Sequence, residues 1–148
     1  AARTGDSLTA LGLRVTVLPD SVPGDASGLK LVRSILMKGI EAVAAECYAV
    51  AGRMGLRDVL KKDLASIDEK PFADLLDAMV RTHPIHAPRR VLEVQAAIDQ
   101  ANALGLRLPL TETVRTSFEA TCRRLETSPP GEMPDIHQSA KWITGKFE

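Results

Sequence analysis

Residues 25–54 read DASGLKLVRSILMKGIEAVAAECYAVAGRM, and this stretch decides the fold. Its apolar residues recur at spacings of three and four, which predicts one long helix. The residues of this stripe are Leu29, Val32, Leu36, Ile40, Val43, Cys47, Val50 and Met54. A second apolar set, which includes Leu31 and Ile35, lies on other faces of the same helix. We therefore expect a central helix that is covered by partners along most of its length.

Helical patterns dominate the rest of the chain after residue 54. Pro84 is expected to end one helix and Pro88 to begin the next, while Thr111 and Asp135 are expected to cap later helices. The predicted helices cover residues 56–67, 72–80, 88–105 and 111–125, with a last helix that begins at Asp135 and contains Trp142.

The first residues follow a different pattern. Residues 3–11 suit a short helix, and residues 13–18 alternate apolar and polar side chains as a half-buried strand does. A lone strand cannot satisfy its own backbone donors and acceptors, so we expect it to pair outside this sequence or with a second copy. The pattern predicts that residues 1–22 are the end of something larger and that residues 23–148 form a helical domain.

Composition excludes several classes of function. The chain has 19 Lys and Arg against 19 Asp and Glu, so no net field attracts nucleic acid or an anionic membrane. Aromatic residues make up only 3%, too few for base-stacking platforms, and no apolar run approaches the roughly 18 residues of a membrane span. Cys47 and Cys122 are expected to be free, mostly buried thiols in a reducing compartment. The first residues lack a signal-peptide pattern, which favours the cytoplasm.

The segment that leads into the long helix contains the best candidate site. Free backbone N–H groups at Ala26, Ser27 and Gly28 would lie at the positive end of the helix, where a carboxylate or phosphate binds readily. Gly24 and Gly28 would let the backbone approach such an anion closely. The segment therefore predicts a pocket for an anionic substrate.

Lys30 follows this predicted pocket by about one turn. A lysine beside apolar walls can act as a general acid or base near neutral pH, and Ser34 lies one further turn along the same face. The alternative is an ordinary solvated stripe, because Arg33, Lys38 and Glu41 share that sector of the helix. A Schiff-base lysine enzyme is a third possibility.

The stretch Pro23 to Lys30, followed by Ser34, resembles the segment between the two domains of the β-hydroxyacid dehydrogenases and their 6-phosphogluconate dehydrogenase relatives. Gly24 and Lys30 match that family's motif, whereas Ala26 and Ser34 stand where glycine and asparagine are usual. The resemblance is closest to the phosphogluconate-dehydrogenase-like branch. It continues through residues 86–90 and 103–111, and thus covers nearly the whole chain.

This resemblance implies a mainly α fold, a multi-helical 6-phosphogluconate dehydrogenase C-terminal-like bundle around one long central helix. It implies that residues 1–22 are the remnant of an N-terminal dinucleotide-binding Rossmann domain. Lys30 would be the catalytic proton donor or acceptor, with Ser34 in the hydrogen-bonding role of the family's asparagine. Gly24, Ala26, Ser27 and Gly28 would bind a small hydroxy acid or a related carbonyl or imine.

The resemblance also implies NAD or NADP as cofactor, bound mainly by a domain absent from this sequence. No G-x-G-x-x-G turn occurs in the chain, so it is not expected to transfer hydride alone. Where many members have a Lys-Asp pair, this chain has Glu93 and Val94, so the choice between the two cofactors stays open.

Other candidates are weaker. His83, His86 and His137 are expected to be structural rather than metal ligands. Arg89 and Arg90 could bind a substrate anion, although a solvated helix start is the simpler interpretation.

Association with a second copy is the last expectation. The long helix is apolar on more faces than one small bundle covers, which favours a homodimer. Trp142 either anchors a subunit interface or packs on its own chain. The alternative to an enzyme is a non-catalytic helical dimerisation module.

Overall fold

A computed structural model describes residues 2–131 and 135–145, and within these ranges the chain is helical and contains no strand. The α-helices are α1 (Ala2–Ala10), α2 (Asp25–Arg53), α3 (Arg57–Leu64), α4 (Phe72–Ala103), α5 (Pro109–Thr127) and α6 (Ile136–Thr144). A 3-10 turn, Ala65–Glu69, follows α3. The mainly α class is thus confirmed. The chain divides into two compact units, Ala1–Glu41 and Ala42–Glu148, and each is described by itself.

The first unit contains the segment predicted to be a strand, and within the described residues it forms none; its predicted pairing outside this sequence stays a prediction. Residues 13–18 have no regular secondary structure, because a strand forms only where a neighbour supplies the hydrogen-bond ladder. The segment instead returns over α1, where a Cβ added to Gly5 would lie 2.5 Å from a methyl group of Val17. Gly5 is therefore required for this close approach.

The long helix is present as predicted, since α2 runs from Asp25 to Arg53. Its start is fixed by Asp25, whose carboxylate accepts a 2.8 Å hydrogen bond from the Val22 N–H. Ala51 is the buried residue of α2, whereas Leu31 and Ile35 are 66% and 77% exposed. The described part of the chain does not supply the expected cover for these side chains.

Pro84 does not end a helix, which corrects the prediction of two helices over residues 72–105. α4 is continuous from Phe72 to Ala103 and contains both Pro84 and Pro88. A proline inside a helix removes a hydrogen bond and crowds the carbonyl four residues earlier, which costs about 3 kcal/mol. α4 packs against both α5 and α6, and we attribute the continuity of the helix to this packing.

Small side chains form much of the core of the second unit. Ala87, Ala101 and Ser139 are fully buried, which allows neighbouring backbones to approach closely. Ile98 and Leu108 add the larger apolar contacts.

The ends of the helices partly follow the predicted signals. Gly105 follows α4 with φ 74°, in the left-handed region, and Asp135 caps α6 in a reciprocal arrangement with Gln138. Thr111 is not a cap, because α5 already begins at Pro109. Within the described ranges, no helix has both the length and the apolar character needed to cross a bilayer.

Candidate functional site

The predicted substrate-binding residues lie on the first turn of α2 and just before it. Gly24 has φ 110°, a left-handed conformation that suits glycine. The Gly28 N–H donates to the Gly24 carbonyl at 2.9 Å. The prediction of a free N–H at Gly28 is therefore wrong. Ala26 and Ser27 remain as the first-turn residues whose N–H groups would face an anion.

Lys30 lies immediately after this turn and is exposed. It makes no ion pair with any residue of the described ranges, whereas Lys38 on the same helix pairs with Glu41 at 2.6 Å. Ser34 is half-buried one turn after Lys30. The apolar walls predicted around Lys30 are not formed by the described part of this chain.

A second polar cluster links α2 to α5 within the second unit. The carboxylate of Glu46 accepts hydrogen bonds from the Leu110 N–H at 2.8 Å, the Thr111 N–H at 2.9 Å and the Thr111 hydroxyl at 2.6 Å. Burial raises the pKa of Glu46, but these bonds outweigh burial and hold it below its ordinary value. The unpaired N–H groups of the α5 start are thus capped by a side chain of another helix.

A mainly apolar cavity of about 440 Å³ lies beside this cluster, between the end of α2, α3 and α4. Val50, Met54 and Leu60 line it, with Asp63 among its few polar groups. Cys47 also lines the cavity and is exposed, which corrects the expectation of a buried thiol, whereas Cys122 is half-buried; both thiols are free.

A third cluster is formed by α4 and α5. The His83 Nε2 lies 2.8 Å from the Thr121 hydroxyl, and the His83 ring stacks on Phe118 with centroids 4.9 Å apart. Burial lowers the pKa of His83, and the nearby Arg90 charge lowers it further. In the described ranges, no group of three or more His, Cys, Asp or Glu side chains is arranged to hold a metal ion.

The two neighbouring arginines of α4 have different surroundings. Arg89 is exposed and pairs with Glu93 at 3.1 Å. Arg90 is half-buried, and its guanidinium carbon lies 5.8 Å from the Phe118 ring centroid. The two residues that the sequence presents as a pair therefore belong to different environments.

Trp142 contacts its own chain. Its indole N–H donates to the Ser128 carbonyl at 2.8 Å, and the Arg124 guanidinium carbon lies 5.9 Å from the ring centroid. Arg124 also donates to the carbonyls of Trp142 and Ile143. Trp142 is thus half-buried against its own chain, near the end of α6.

Sequence reasoning missed the contacts that organise the second unit. Thr111 is 65 residues from Glu46, and Thr121 is 38 residues from His83. No local spacing reports such pairs, because the order in which helices pack decides which side chains meet.

Comparison with known proteins found a family model and a curated relative that match this chain. The profile of the family DUF1932, described as a domain of unknown function, matches residues 51–127. An uncharacterized 28.5 kDa protein encoded in the 7S RNA 5' region of Methanothermus fervidus is 36% identical over 87 residues, which are 59% of this chain and 34% of that protein. The matched part thus spans about a third of the relative. No solved structure matches the chain significantly.

The helical bundle and the match define the C-terminal domain type of the β-hydroxyacid and 6-phosphogluconate dehydrogenase superfamily. The chain belongs to the DUF1932 family, the C-terminal domain family of NAD(P)-binding 3-hydroxyisobutyrate dehydrogenase-like proteins.

The described residues do not fit a dinucleotide site of the usual kind. Such a site uses a glycine-rich turn between a strand and a helix, and the described ranges contain no strand.

Proposed function

We propose that this chain is the substrate and dimerisation part of an NAD(P)-dependent cytoplasmic dehydrogenase. Its substrate would be a small hydroxy acid or a related carbonyl or imine. The dinucleotide would be held by a Rossmann domain N-terminal to the helical domain, since the described residues offer no site for it. Residues 1–22 would be the end of that domain.

In this proposal Lys30 exchanges a proton with the substrate oxygen. The observation that supports the assignment is the free charge of Lys30, directly after the first turn of α2, while Lys38 on the same helix is neutralised by Glu41. Proton exchange by a placed side chain typically contributes about 10² to 10⁴ in rate. Ser34, one turn further on, would hydrogen-bond the substrate or the ammonium.

The carboxylate of the substrate would bind at the first turn of α2. The N–H groups of Ala26 and Ser27, at the positive end of the helix, would donate to it. Gly24 would allow the close approach. This places carboxylate and reacting oxygen on adjacent turns, as a short hydroxy acid requires.

The test is Lys30→Met in the dehydrogenase assembly, with the dinucleotide-binding domain present. A panel of small hydroxy acids is supplied with NAD and with NADP, and reduced nicotinamide is measured. We expect kcat to fall by about 10² to 10⁴ with an unchanged circular dichroism spectrum.

Lys38→Met is the matched control, because it removes a lysine of the same helix that is already paired. It should retain the wild-type kcat. Equal activity of Lys30→Met and wild type would overturn the assignment of Lys30, and an equal loss in both variants would show an effect on the helix rather than on proton exchange.

A non-catalytic dimerisation module is the second candidate. It is favoured by the exposed apolar side chains of α2, among which Leu29, Leu31 and Val32 are more than half exposed. Sedimentation of the chain at micromolar concentration tests this candidate. The module alone would be supported if the chain is a homodimer that dissociates on Val32→Glu and if Lys30→Met keeps wild-type turnover. A monomer would contradict a homodimer of this chain.

A further inference from the structure

A cavity of about 470 Å³ lies between α4, α5 and α6. Its volume is within the usual range of sites for small molecules. Met79, Val80, Phe118 and Ile143 form apolar parts of its wall. The cavity belongs entirely to the second unit and shares no residue with the predicted substrate site on α2.

Arg90 supplies the positive charge of this cavity. Its side chain is half-buried against Phe118, and it forms no ion pair with any residue of 2–131 or 135–145. The next residue back, Arg89, pairs with Glu93 on the outer surface. A partly desolvated guanidinium without an anion is unfavourable, so a bound anion would be stabilised there.

His83 forms a fixed part of the same wall. The His83 Nε2 and the Thr121 hydroxyl are joined by a hydrogen bond of 2.8 Å, which holds the ring in place whichever of the two atoms carries the proton. Stacking on Phe118 fixes the ring plane, so the wall is ordered without a ligand.

We propose that this cavity binds a small aliphatic carboxylate, with the carboxylate on Arg90 and the hydrocarbon part against Met79, Val80 and Ile143. A single guanidinium matches one carboxylate in a two-point geometry. The apolar wall requires a hydrocarbon portion, which distinguishes this ligand from inorganic phosphate. The site is independent of the proposed dehydrogenase reaction at Lys30.

The test is titration of the full chain with hexanoate, followed through the backbone amide signals of His83 and Phe118 in NMR spectra. Hexanamide, which has the same chain without charge, and inorganic phosphate, which has charge without a chain, are titrated in parallel. We expect saturable shifts with hexanoate, and binding at least about tenfold weaker with either comparison compound, as loss of a charged hydrogen bond or of a buried chain implies.

Arg90→Met should weaken hexanoate binding about tenfold, whereas Arg89→Met, which removes the outward-facing neighbour, should leave it unchanged. Ile143→Ser gives a second variant that keeps Arg90 and should weaken hexanoate but not phosphate. The proposal would be overturned if hexanoate gives no saturable shifts, or if hexanamide or phosphate binds as tightly as hexanoate. Unchanged hexanoate affinity in Arg90→Met would also overturn it.

Discussion

Glu46 on α2 and Thr111 on α5 are joined through both the hydroxyl and the backbone N–H of the threonine, at 2.6 and 2.9 Å. An N-cap is normally supplied by the residue just before the helix. Leu108, which precedes α5, has no side chain able to do this. The cap therefore comes from a different helix, and it fixes α5 to the second half of α2.

Glu46→Ala should destabilise the chain by about 1 kcal/mol, as loss of an N-cap does, because the N–H groups of Leu110 and Thr111 lose their acceptor. Urea unfolding at neutral pH measures this. Glu41→Ala is the matched control, since its exposed ion pair with Lys38 should contribute less than about 1 kcal/mol. Equal effects of the two substitutions would contradict the capping role.

The contribution of Glu46 should depend on pH. Its hydrogen bonds hold the folded pKa below the ordinary value of 4.5, so the unfolded state binds the proton more readily. The stabilisation is then full well above pH 4.5 and is lost as pH falls through the lower folded pKa. The difference in unfolding free energy between wild type and Glu46→Gln should shrink over that interval. A constant difference down to acid pH would contradict it.

Protonation of His83 should destabilise the folded chain. Burial and the Arg90 charge lower its folded pKa below 6.5, so the unfolded state again binds the proton more readily. Stability should fall as pH drops below 6.5 towards the folded pKa. The melting temperature of His83→Gln should no longer show this fall at low pH. His137 is an exposed histidine of α6, so the melting temperature of His137→Gln should still show it.

Pro88→Ala should stabilise the chain. Pro88 is exposed inside α4, and alanine restores an N–H that can donate to the Pro84 carbonyl. Relief of the proline's cost in the helix outweighs the greater conformational entropy of the unfolded alanine variant. We therefore expect the free energy of unfolding, measured in urea, to increase by about 1 to 2 kcal/mol. Pro129→Ala, in the non-helical segment after α5, should give no such gain, and a loss in Pro88→Ala would show that packing requires the proline.

Arg124→Ala should destabilise α6. The guanidinium of Arg124 donates to the last carbonyls of that helix, and their loss should cost about 1 to 3 kcal/mol. Differential scanning calorimetry measures the change. Arg123→Ala is the matched control, because Arg123 is exposed beside it. A larger effect at Arg123 would contradict the role of Arg124.

Much of the helical architecture could be predicted from periodicity. The long helix of residues 25–53, the cap at Asp135 and the left-handed Gly105 all follow from local rules. The break at Pro84 could not be judged in this way, because the local cost of proline is fixed whereas the packing around α4 is not visible in the sequence. The roles predicted for Lys30 and Ser34 stay predictions until the kinetic test.

The sequence by itself determined the helical class, the start of α2 just before Lys30, and the resemblance that places the chain in its family. Apolar spacing, caps and glycine positions are local, and they act before helices meet. Only the tertiary structure decided that Glu46 caps α5, that residues 13–18 form no strand, and that Arg90, His83 and Phe118 share one cavity. These outcomes depend on which helices pack together, and packing joins residues that are far apart in the chain.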